Sequence, residues 1–217
     1  MAMTKARLAI LGGTFDPVHR AHIACALFVQ QLLQPEQVQL MPCHLPAHRS
    51  SPGVSPQHRA AMVELAIASY PGLTLQSLEI NQHKPSYTAD SLEQLRVLYP
   101  EHQLLFVMGS DSLAYFKSWK KWQSILELSH LVVCQRPGYS RTEGDCPALL
   151  QQFGTESKDL LGTKPSGVIL WLDNAPLDLS ATQIRHCLQT GQQQALHQLL
   201  DAKVLAYIRQ HRLYQAL

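Results

Sequence analysis

Residues 8–22 of this chain read Leu8-Ala9-Ile10-Leu11-Gly12-Gly13-Thr14-Phe15-Asp16-Pro17-Val18-His19-Arg20-Ala21-His22. The apolar residues at the start are typical of a short buried strand, and Gly12-Gly13 predicts a tight turn after it. His19 and His22 then stand three residues apart at a predicted helix start. A helix N-terminus presents free N–H groups and the positive end of a dipole to an anion. This order of strand, glycines and helix therefore predicts a phosphate site that both histidines face.

The segment differs from the two commonest phosphate-binding loops. It lacks the Lys-Ser/Thr pair of a Walker loop and the Gly-x-Gly-x-x-Gly spacing of dinucleotide-binding folds. Taken alone, a His-x-x-His pair also fits half of a zinc site or two surface histidines on one helical face. The five cysteines are scattered and form no C-x-x-C pair, which argues against zinc. Phosphate contact is therefore the favoured interpretation.

The composition is that of a globular protein that acts on small molecules. The 217 residues are 46% hydrophobic, enough for one sizeable core, so we expect a single domain spanning 1–217. The 18 basic and 16 acidic residues give a formal net charge of +2 without a basic stripe, which does not favour nucleic-acid binding. Unpatterned cysteines and the lack of a long apolar N-terminal run predict a cytoplasmic protein without a membrane segment. No feature indicates an oligomeric state.

Apolar runs alternate with stretches of helical spacing along the chain. The predicted strands are 8–11, 38–41, 73–80, 104–108, 131–134 and 168–172. Such alternation is typical of an α/β fold with a parallel sheet and crossover helices. The segment from about 180 to 217 is predicted to form a helical C-terminal part, with breaks near Gly191 and Asp201.

Caps and loops are predicted between these elements. Ser55 predicts the cap of one helix, and Thr88 or Ser86 predicts the cap of another. Two stretches, 42–56 and 136–165, are rich in Pro, Gly and polar residues and are predicted loops. Long loops in a compact domain are often functional, so both are candidates for contact with a ligand.

A second group of polar residues follows the later predicted strands. Parallel sheets bind ligands beyond the carboxyl ends of their strands. Gly109 allows close approach there, and the Asp111 carboxylate can accept hydrogen bonds from ribose hydroxyls. Further along, Ser180 begins a predicted helix on which Thr182 and Arg185, three residues apart, can face one anion. Taken alone, Ser180 also fits an ordinary N-cap and Arg185 a solvated helix residue.

Residues 12–22 resemble the signature of the nucleotidyltransferase α/β-phosphodiesterase superfamily, whose members attach a nucleotide to a phosphate and release pyrophosphate. Residues 180–185 resemble the superfamily's second signature, which receives the ATP phosphates. The resemblance implies a Rossmann-like, doubly wound, mostly parallel sheet with flanking helices. One departure is Ala21, where the family usually has Gly; alanine is well tolerated once the residue is helical. The resemblance implies catalytic roles for His19, His22 and Arg185, and ATP binding by Gly12, Gly13, Thr14, Phe15, His19, His22, Gly109, Asp111, Ser180, Thr182 and Arg185.

Further blocks resemble bacterial nicotinate mononucleotide adenylyltransferases: Pro46-Ala47-His48-Arg49, Pro85-Ser86-Tyr87-Thr88-Ala89, Gly109-Ser110-Asp111-Ser112, Phe116-x-x-Trp119 and Cys134-Gln135-Arg136-Pro137-Gly138-Tyr139. The resemblance implies transfer of AMP from ATP to nicotinate mononucleotide, giving nicotinate adenine dinucleotide and pyrophosphate in NAD biosynthesis. It implies that Trp119 stacks on the nicotinate ring and that backbone N–H groups near Thr88 and Lys120 receive its carboxylate. The implied mononucleotide-binding residues are Gly13, Thr14, His48, Arg49, Tyr87, Thr88, Trp119, Lys120 and Arg136.

Several alternatives stay open at this point. Trp119 also fits a partly buried packing residue, and Arg136 can approach either substrate. The acceptor could instead be nicotinamide mononucleotide or phosphopantetheine. Two further classes are a non-catalytic nucleotide-binding regulator and a zinc-binding interaction module that uses His19 and His22. For the transferase, Mg²⁺ is expected to enter with ATP, held mostly by phosphate oxygens and water, so no protein metal ligand is assigned.

Overall fold

The computed structural model describes residues 6–46, 53–82 and 84–215. In these ranges, seven strands form one parallel sheet and two short strands form a second. The strands are β1 (Arg7–Gly13), β2 (Gln37–Pro42), β3 (Leu45–Pro46), β4 (Leu73–Leu75), β5 (Pro85–Ser86), β6 (Gln103–Gly109), β7 (His130–Cys134), β8 (Gly154–Thr155) and β9 (Ile169–Leu172). The large sheet has the order β4-β2-β1-β6-β7-β9-β8, and β3 pairs with β5.

Helices connect the strands and cover both faces of the large sheet. They are α1 (Arg20–Leu33), α2 (Pro56–Ile67), α3 (Thr88–Leu98), α4 (Ser110–Leu113), α5 (Trp122–Leu128), α6 (Cys146–Phe153), α7 (Ala181–Gln189), α8 (Gln193–Leu199) and α9 (Ala202–Gln210), with 3₁₀ turns at Phe116–Ser118 and Lys158–Gly162. The predicted Rossmann-like parallel sheet with flanking helices is confirmed. No helix within the described ranges has both the length and the apolar character needed to cross a membrane.

The sheet separates two apolar layers. Along β1, Ala9 and Leu11 point into the layer that holds α1, α2 and α7 to α9, whereas Leu8 and Ile10 point into the layer of α3, α5 and α6. The alternation follows from the two-residue period of a strand, and apolar residues on both faces mark a fully covered parallel sheet. Each buried leucine or isoleucine contributes about 1.5–3 kcal/mol to folding. The sequence run at 8–11 is apolar throughout because both of its faces are buried.

The sheet order places a switch point beside β1. From β1 the chain moves to β2 on one side, then returns to β6 on the other side of β1. The two crossovers leave the sheet in opposite directions, so a crevice forms beyond the carboxyl ends of β1 and β6, where ligands bind in this class of fold. Gly13 and Gly109 end these two strands.

Some local predictions are wrong. The strand predicted at 73–80 ends at Leu75, because the Gln76 side chain accepts the Leu78 N–H and starts a turn. The loop predicted at 136–165 contains α6 and β8. Neither Thr88 nor Ser86 caps α3; the N-cap residue is Tyr87, without a side-chain hydrogen bond.

Other local predictions are confirmed. Ser55 caps α2 by accepting the His58 N–H. The C-terminal helices break where expected, since Gly191 has φ +70° between α7 and α8, and Asp201 caps α9 by accepting the Lys203 N–H.

Candidate active site

A cavity of about 1080 Å³ opens at the carboxyl ends of β1, β6 and β7, in the crevice at the switch point. Every predicted site residue in the described ranges lines it: Gly12, Gly13, Thr14, Phe15, His19, His22, Tyr87, Thr88, Gly109, Asp111, Trp119, Lys120, Arg136, Ser180, Thr182 and Arg185. His48 and Arg49 lie outside the described residues. The fold therefore brings residues from both ends of the chain to one place, and the role of each in binding stays a prediction.

The two glycines after the apolar run allow close packing instead of a turn. Gly12 and Gly13 are the last residues of β1 and neither has a positive φ, so the glycine turn was wrongly predicted. A Cβ on Gly12 would lie 2.9 Å from the Phe106 ring, and one on Gly13 would lie 3.0 Å from the Phe15 ring. The chain turns at Phe15, which has φ +50°, a conformation that costs an ordinary residue about 1–3 kcal/mol. Burial of the Phe15 ring offsets this cost and fixes the bend beside the cavity.

The two histidines lie together at the start of α1, as predicted. His19 is the N-cap residue, and its ring stacks on that of His22 with 3.7 Å between the ring centroids. The His19 backbone N–H donates to His22 Nδ1 at 3.2 Å, so a neutral His22 carries its proton on Nε2. His19 Nδ1 is buried and has no hydrogen-bond partner among the described residues. A buried ring nitrogen of this kind is free to meet a ligand.

Both imidazoles are neutral in the free protein at pH 7. Burial and the nearby charge of Arg136 lower the pKa of His19 to about 3. Burial, His19 and Arg136 also lower the pKa of His22 well below its ordinary value. The rings therefore offer hydrogen bonds to a phosphate, and the full positive charges on this side come from arginines. A bound anion would raise both pKa values.

The second predicted cluster meets the first across the cavity. Arg185 Nη1 donates to the backbone carbonyl of Asp16 at 2.7 Å, and Arg185 Nη2 donates to Thr182 Oγ1 at 3.2 Å. The Asp16 carboxylate is 3.8 Å from Arg185 and accepts a hydrogen bond from the Tyr214 hydroxyl at 2.8 Å. Burial and Asp16 raise the pKa of Tyr214, which therefore stays protonated and donates. One network thus joins the first loop, the start of α7 and the C-terminal segment.

Two neighbouring positions resolve questions left by the sequence. The Ser180 hydroxyl accepts the Gln183 N–H at 3.2 Å, and Gln183 Oε1 accepts the Ser180 N–H, which makes Ser180 an N-cap. Its hydroxyl is committed to α7, although the residue lines the cavity. Ala21 is the second residue of α1 and has no positive φ, so its methyl group needs no strained backbone.

Gly109 allows the side chains of Asp111 and Arg136 to approach the backbone closely. A Cβ at this position would lie 2.2 Å from Asp111 Oδ1 and 3.0 Å from Arg136 Nε. Arg136 Nε is 3.8 Å from Asp111 Oδ1, and its charge lowers the pKa of His19 and His22. Arg136 therefore lies close enough to both histidines for its charge to act on them, and its role in binding stays a prediction.

Another part of the cavity wall holds four of the residues predicted for the mononucleotide: Tyr87, Thr88, Trp119 and Lys120. Trp119 is half-buried, and its ring packs 5.6 Å from Phe116 and 6.3 Å from Phe106, measured between centroids. It packs on the core and lines the cavity at once, so both interpretations of this residue have support. Lys120 Nζ lies 4.2 Å from the centre of the Tyr87 ring. The N-terminus of α3 adds backbone N–H groups that have no partner within the helix.

Sequence reasoning missed a buried arginine that holds the cavity wall. Arg59, on α2, is fully buried and donates to the carbonyls of Thr14 at 2.6 Å, Cys43 at 2.7 Å and His44 at 2.8 Å. It therefore ties the loop after β1 to the segment after β2. The sequence did indicate that Arg59 is buried, because it lies three residues before Met62 and therefore on the same buried face of α2.

The described residues contain no group of three or more His, Cys, Asp or Glu side chains placed to hold a metal ion. The carboxylates of Asp16 and Asp111 each face an arginine, Arg185 and Arg136 respectively.

The fold and the cavity define an α/β protein with a cavity at the switch point of its parallel sheet. The profile of the cytidylyltransferase-like family matches residues 10–187, and the chain belongs to this family.

Curated relatives match almost the whole chain. A probable nicotinate-nucleotide adenylyltransferase of Aeromonas salmonicida is 42% identical over 99% of this chain and 100% of its own length. One of Cellvibrio japonicus is 42% identical over 96% of this chain and 98% of its own. The Plasmodium falciparum nicotinic acid mononucleotide adenylyltransferase complexed with NaAD superposes with a TM-score of 0.76 over 96% of this chain and 97% of its own. At 18% identity, that likeness supports the fold alone.

Proposed function

We propose that this protein transfers the adenylyl group of ATP to nicotinate mononucleotide, forming nicotinate adenine dinucleotide and pyrophosphate for NAD biosynthesis. The observation that carries the proposal is the meeting of Arg185 with Asp16 across the cavity. It joins α7, which carries Thr182 and Arg185, to the loop that leads to His19 and His22. The names of full-length relatives support nicotinate mononucleotide as the acceptor.

The reaction needs positioning more than acid or base chemistry. A phosphate oxygen of the mononucleotide attacks the α-phosphorus of ATP in line, and the bond from that phosphorus to the bridging oxygen breaks as pyrophosphate leaves. The attacking phosphate is already an anion at neutral pH, so no general base is required. Correct placement of the two substrates supplies a large part of the rate.

Charge stabilisation comes from donors on both sides of the cavity. The Nε2–H of His22 and the N-terminus of α1 face the phosphates from one side, and Arg185 and Thr182 from the other. A single donor aimed at charge that develops in the transition state contributes about 10²–10³ in rate. His22 is neutral in the free protein, and its Nε2–H acts there as a hydrogen-bond donor.

When bound with ATP, Mg²⁺ would neutralise part of the phosphate charge. The Asp16 and Asp111 carboxylates are each paired with an arginine, and we expect Mg²⁺ to enter with ATP. We therefore assign it phosphate and water ligands, and no residue of this chain.

The acceptor side favours an anionic ring substituent. The N-terminus of α3, at Thr88, ends in the cavity wall without a side-chain cap, and its dipole favours negative charge. Lys120 lies beside Tyr87 and keeps an ion pair with Asp90 at 3.2 Å. We assign the nicotinate ring to the exposed part of Trp119 and its carboxylate to the N–H groups near Thr88.

We also propose that residues 1–217 form a single domain. The C-terminal helices bury Ile184, Leu196 and Val204 in the same apolar layer as α1 and α2. All five cysteines are free thiols, which supports a reducing, cytoplasmic compartment.

A pyrophosphate-release assay tests the proposed function. The protein is incubated with ATP, Mg²⁺ and one acceptor at a time: nicotinate mononucleotide, phosphopantetheine or none. We expect release only with nicotinate mononucleotide, together with a product of the mass of nicotinate adenine dinucleotide. Release with phosphopantetheine alone would identify a different acceptor. No release with any acceptor would favour a non-catalytic regulator, and tightly held zinc in the purified protein would favour the interaction module.

A further inference from the structure

Two cysteines from distant parts of the chain contact each other in the wall of the cavity. Cys25 lies on α1, three residues after His22, and Cys134 is the last residue of β7. Their sulfur atoms are 2.7 Å apart, and both residues line the cavity. Both are free thiols. Since a disulfide bond is about 2.05 Å long, a small movement of either side chain brings the sulfurs to bonding distance.

The two thiols differ in access and in reactivity. Cys25 is half-buried, whereas Cys134 is 4% exposed. The contact with Cys25 and burial raise the pKa of the Cys134 thiol well above its ordinary value. A reagent in the cavity therefore reacts first with Cys25, because Cys134 is less accessible and stays a protonated thiol.

We infer that Cys25 and Cys134 form a modification site for small disulfides such as oxidised glutathione, at which Cys25 takes the adduct and Cys134 removes it. In the first step the Cys25 sulfur attacks one glutathione sulfur, the glutathione disulfide breaks, and one glutathione leaves as the thiol. In the second step the Cys134 sulfur attacks the Cys25 sulfur, and the second glutathione leaves as the thiol. The two protein thiols are oxidised, one glutathione disulfide is reduced, and the protein protons pass to the leaving thiolates.

The pair would keep the cavity open under oxidising conditions. A glutathione held on Cys25 projects into the cavity beside His22, where it blocks substrate. The Cys25–Cys134 disulfide adds no atoms to the cavity, because the sulfurs already touch. Proximity favours the second step, since a neighbouring group reacts at a high effective concentration despite its raised pKa.

Intact-mass analysis and peptide mapping test this inference. The chain is prepared with Cys187→Ser, because Cys187 is half-buried on α7 and would take its own adduct. Cys134→Ser and Cys25→Ser are added to that background one at a time. Each full-length protein is incubated with oxidised glutathione, and its adenylyl transfer is compared with its own untreated sample. The activity readout rests on the proposed function, whereas the mass readout does not depend on it.

We expect the background protein to lose two hydrogen atoms, to form a Cys25–Cys134 peptide link and to keep its activity. Cys134→Ser should retain one glutathione on Cys25 and lose its activity until a thiol reductant is added. Cys25→Ser should gain no adduct at Cys134. A stable glutathione on Cys25 in the background protein would overturn the inference, as would unmodified Cys25 and Cys134 thiols after the incubation.

Discussion

The hydrogen bond between Tyr214 and Asp16 makes a sharp prediction, because it joins the C-terminal segment to the first loop. Tyr214→Phe removes the hydroxyl that donates to Asp16 Oδ1 at 2.8 Å and leaves the ring in place. A hydrogen bond to a charged group contributes about 1.5–3 kcal/mol to stability. Asp16 is buried, and its carboxylate then keeps the more distant ion pair with Arg185 at 3.8 Å. We therefore expect the free energy of unfolding to fall by about 1.5–3 kcal/mol.

The same substitution should weaken use of ATP. Arg185 keeps its hydrogen bond to the Asp16 carbonyl, so the contact between the first loop and α7 is weakened but not lost. We expect kcat/KM for ATP to fall about three- to tenfold, which corresponds to about 0.6–1.4 kcal/mol of transition-state binding. The KM for nicotinate mononucleotide should stay unchanged, since the lost hydroxyl contacts Asp16, which is joined to Arg185 on α7. Urea denaturation measures the first effect, and steady-state kinetics with each substrate varied in turn measures the second.

Tyr207→Phe is the matched control. Its hydroxyl lies 2.9 Å from His58 Nδ1, between α9 and α2, and Tyr207 does not line the cavity. We expect a stability loss of about 0.5–1.5 kcal/mol and unchanged kinetics. Equal kinetic effects in the two variants would refute the reasoning. Unchanged ATP kinetics in Tyr214→Phe, with lower stability, would show that this contact supports the fold alone.

Three further predictions follow from the cavity and the core. His22→Ala should lower kcat about 10²–10³-fold and weaken ATP binding much less, because the Nε2–H matters chiefly as charge develops in the transition state. A near-normal kcat would remove His22 from the mechanism. Trp119→Ala should raise KM for the mononucleotide by the equivalent of about 1–3 kcal/mol, and an equal effect on ATP would mark a packing residue. Burial lowers the pKa of His130 to about 4. Between pH 6.5 and 4 the unfolded state therefore binds more protons than the folded state. As the pH decreases through this range, His130 lowers the free energy of unfolding by at most about 1.4 kcal/mol per pH unit. His130→Gln should remove that part of the slope in urea titrations, and an unchanged slope would contradict the assignment.

Local sequence patterns predicted the main strands because both faces of each strand are buried. The runs at 8–11 and 104–108 have no polar position, and the run at 38–41 has one, Gln39. The edge strand β8 could not be found this way, since it consists of Gly154 and Thr155 alone and has no period. Helix α6 did carry a signal, because Cys146, Leu149 and Phe153 follow helical spacing within a stretch rich in turn residues.

Predicting the site depended on motif resemblance, and the resemblance covered segments that are contiguous in sequence. Those segments meet in one cavity, as expected for a parallel sheet. The roles of Tyr214 and Arg59 were not predicted, because they depend on contacts between residues that are far apart in sequence. Tyr214 reaches Asp16 from the other end of the chain, and Arg59 satisfies backbone carbonyls that no local pattern reveals. Contacts of this kind require the packed structure.

The ratio of kcat/KM for nicotinate mononucleotide to that for nicotinamide mononucleotide tests the central claim most directly. Both are measured with the same ATP and Mg²⁺ concentrations. A carboxylate accepts from the N–H groups at the start of α3, whereas an amide turned the wrong way leaves those donors unpaired, at a cost of about 1–3 kcal/mol. We predict that the acid is preferred by about five- to 150-fold. Equal values, or a preference for the amide, would contradict the account of the acceptor site.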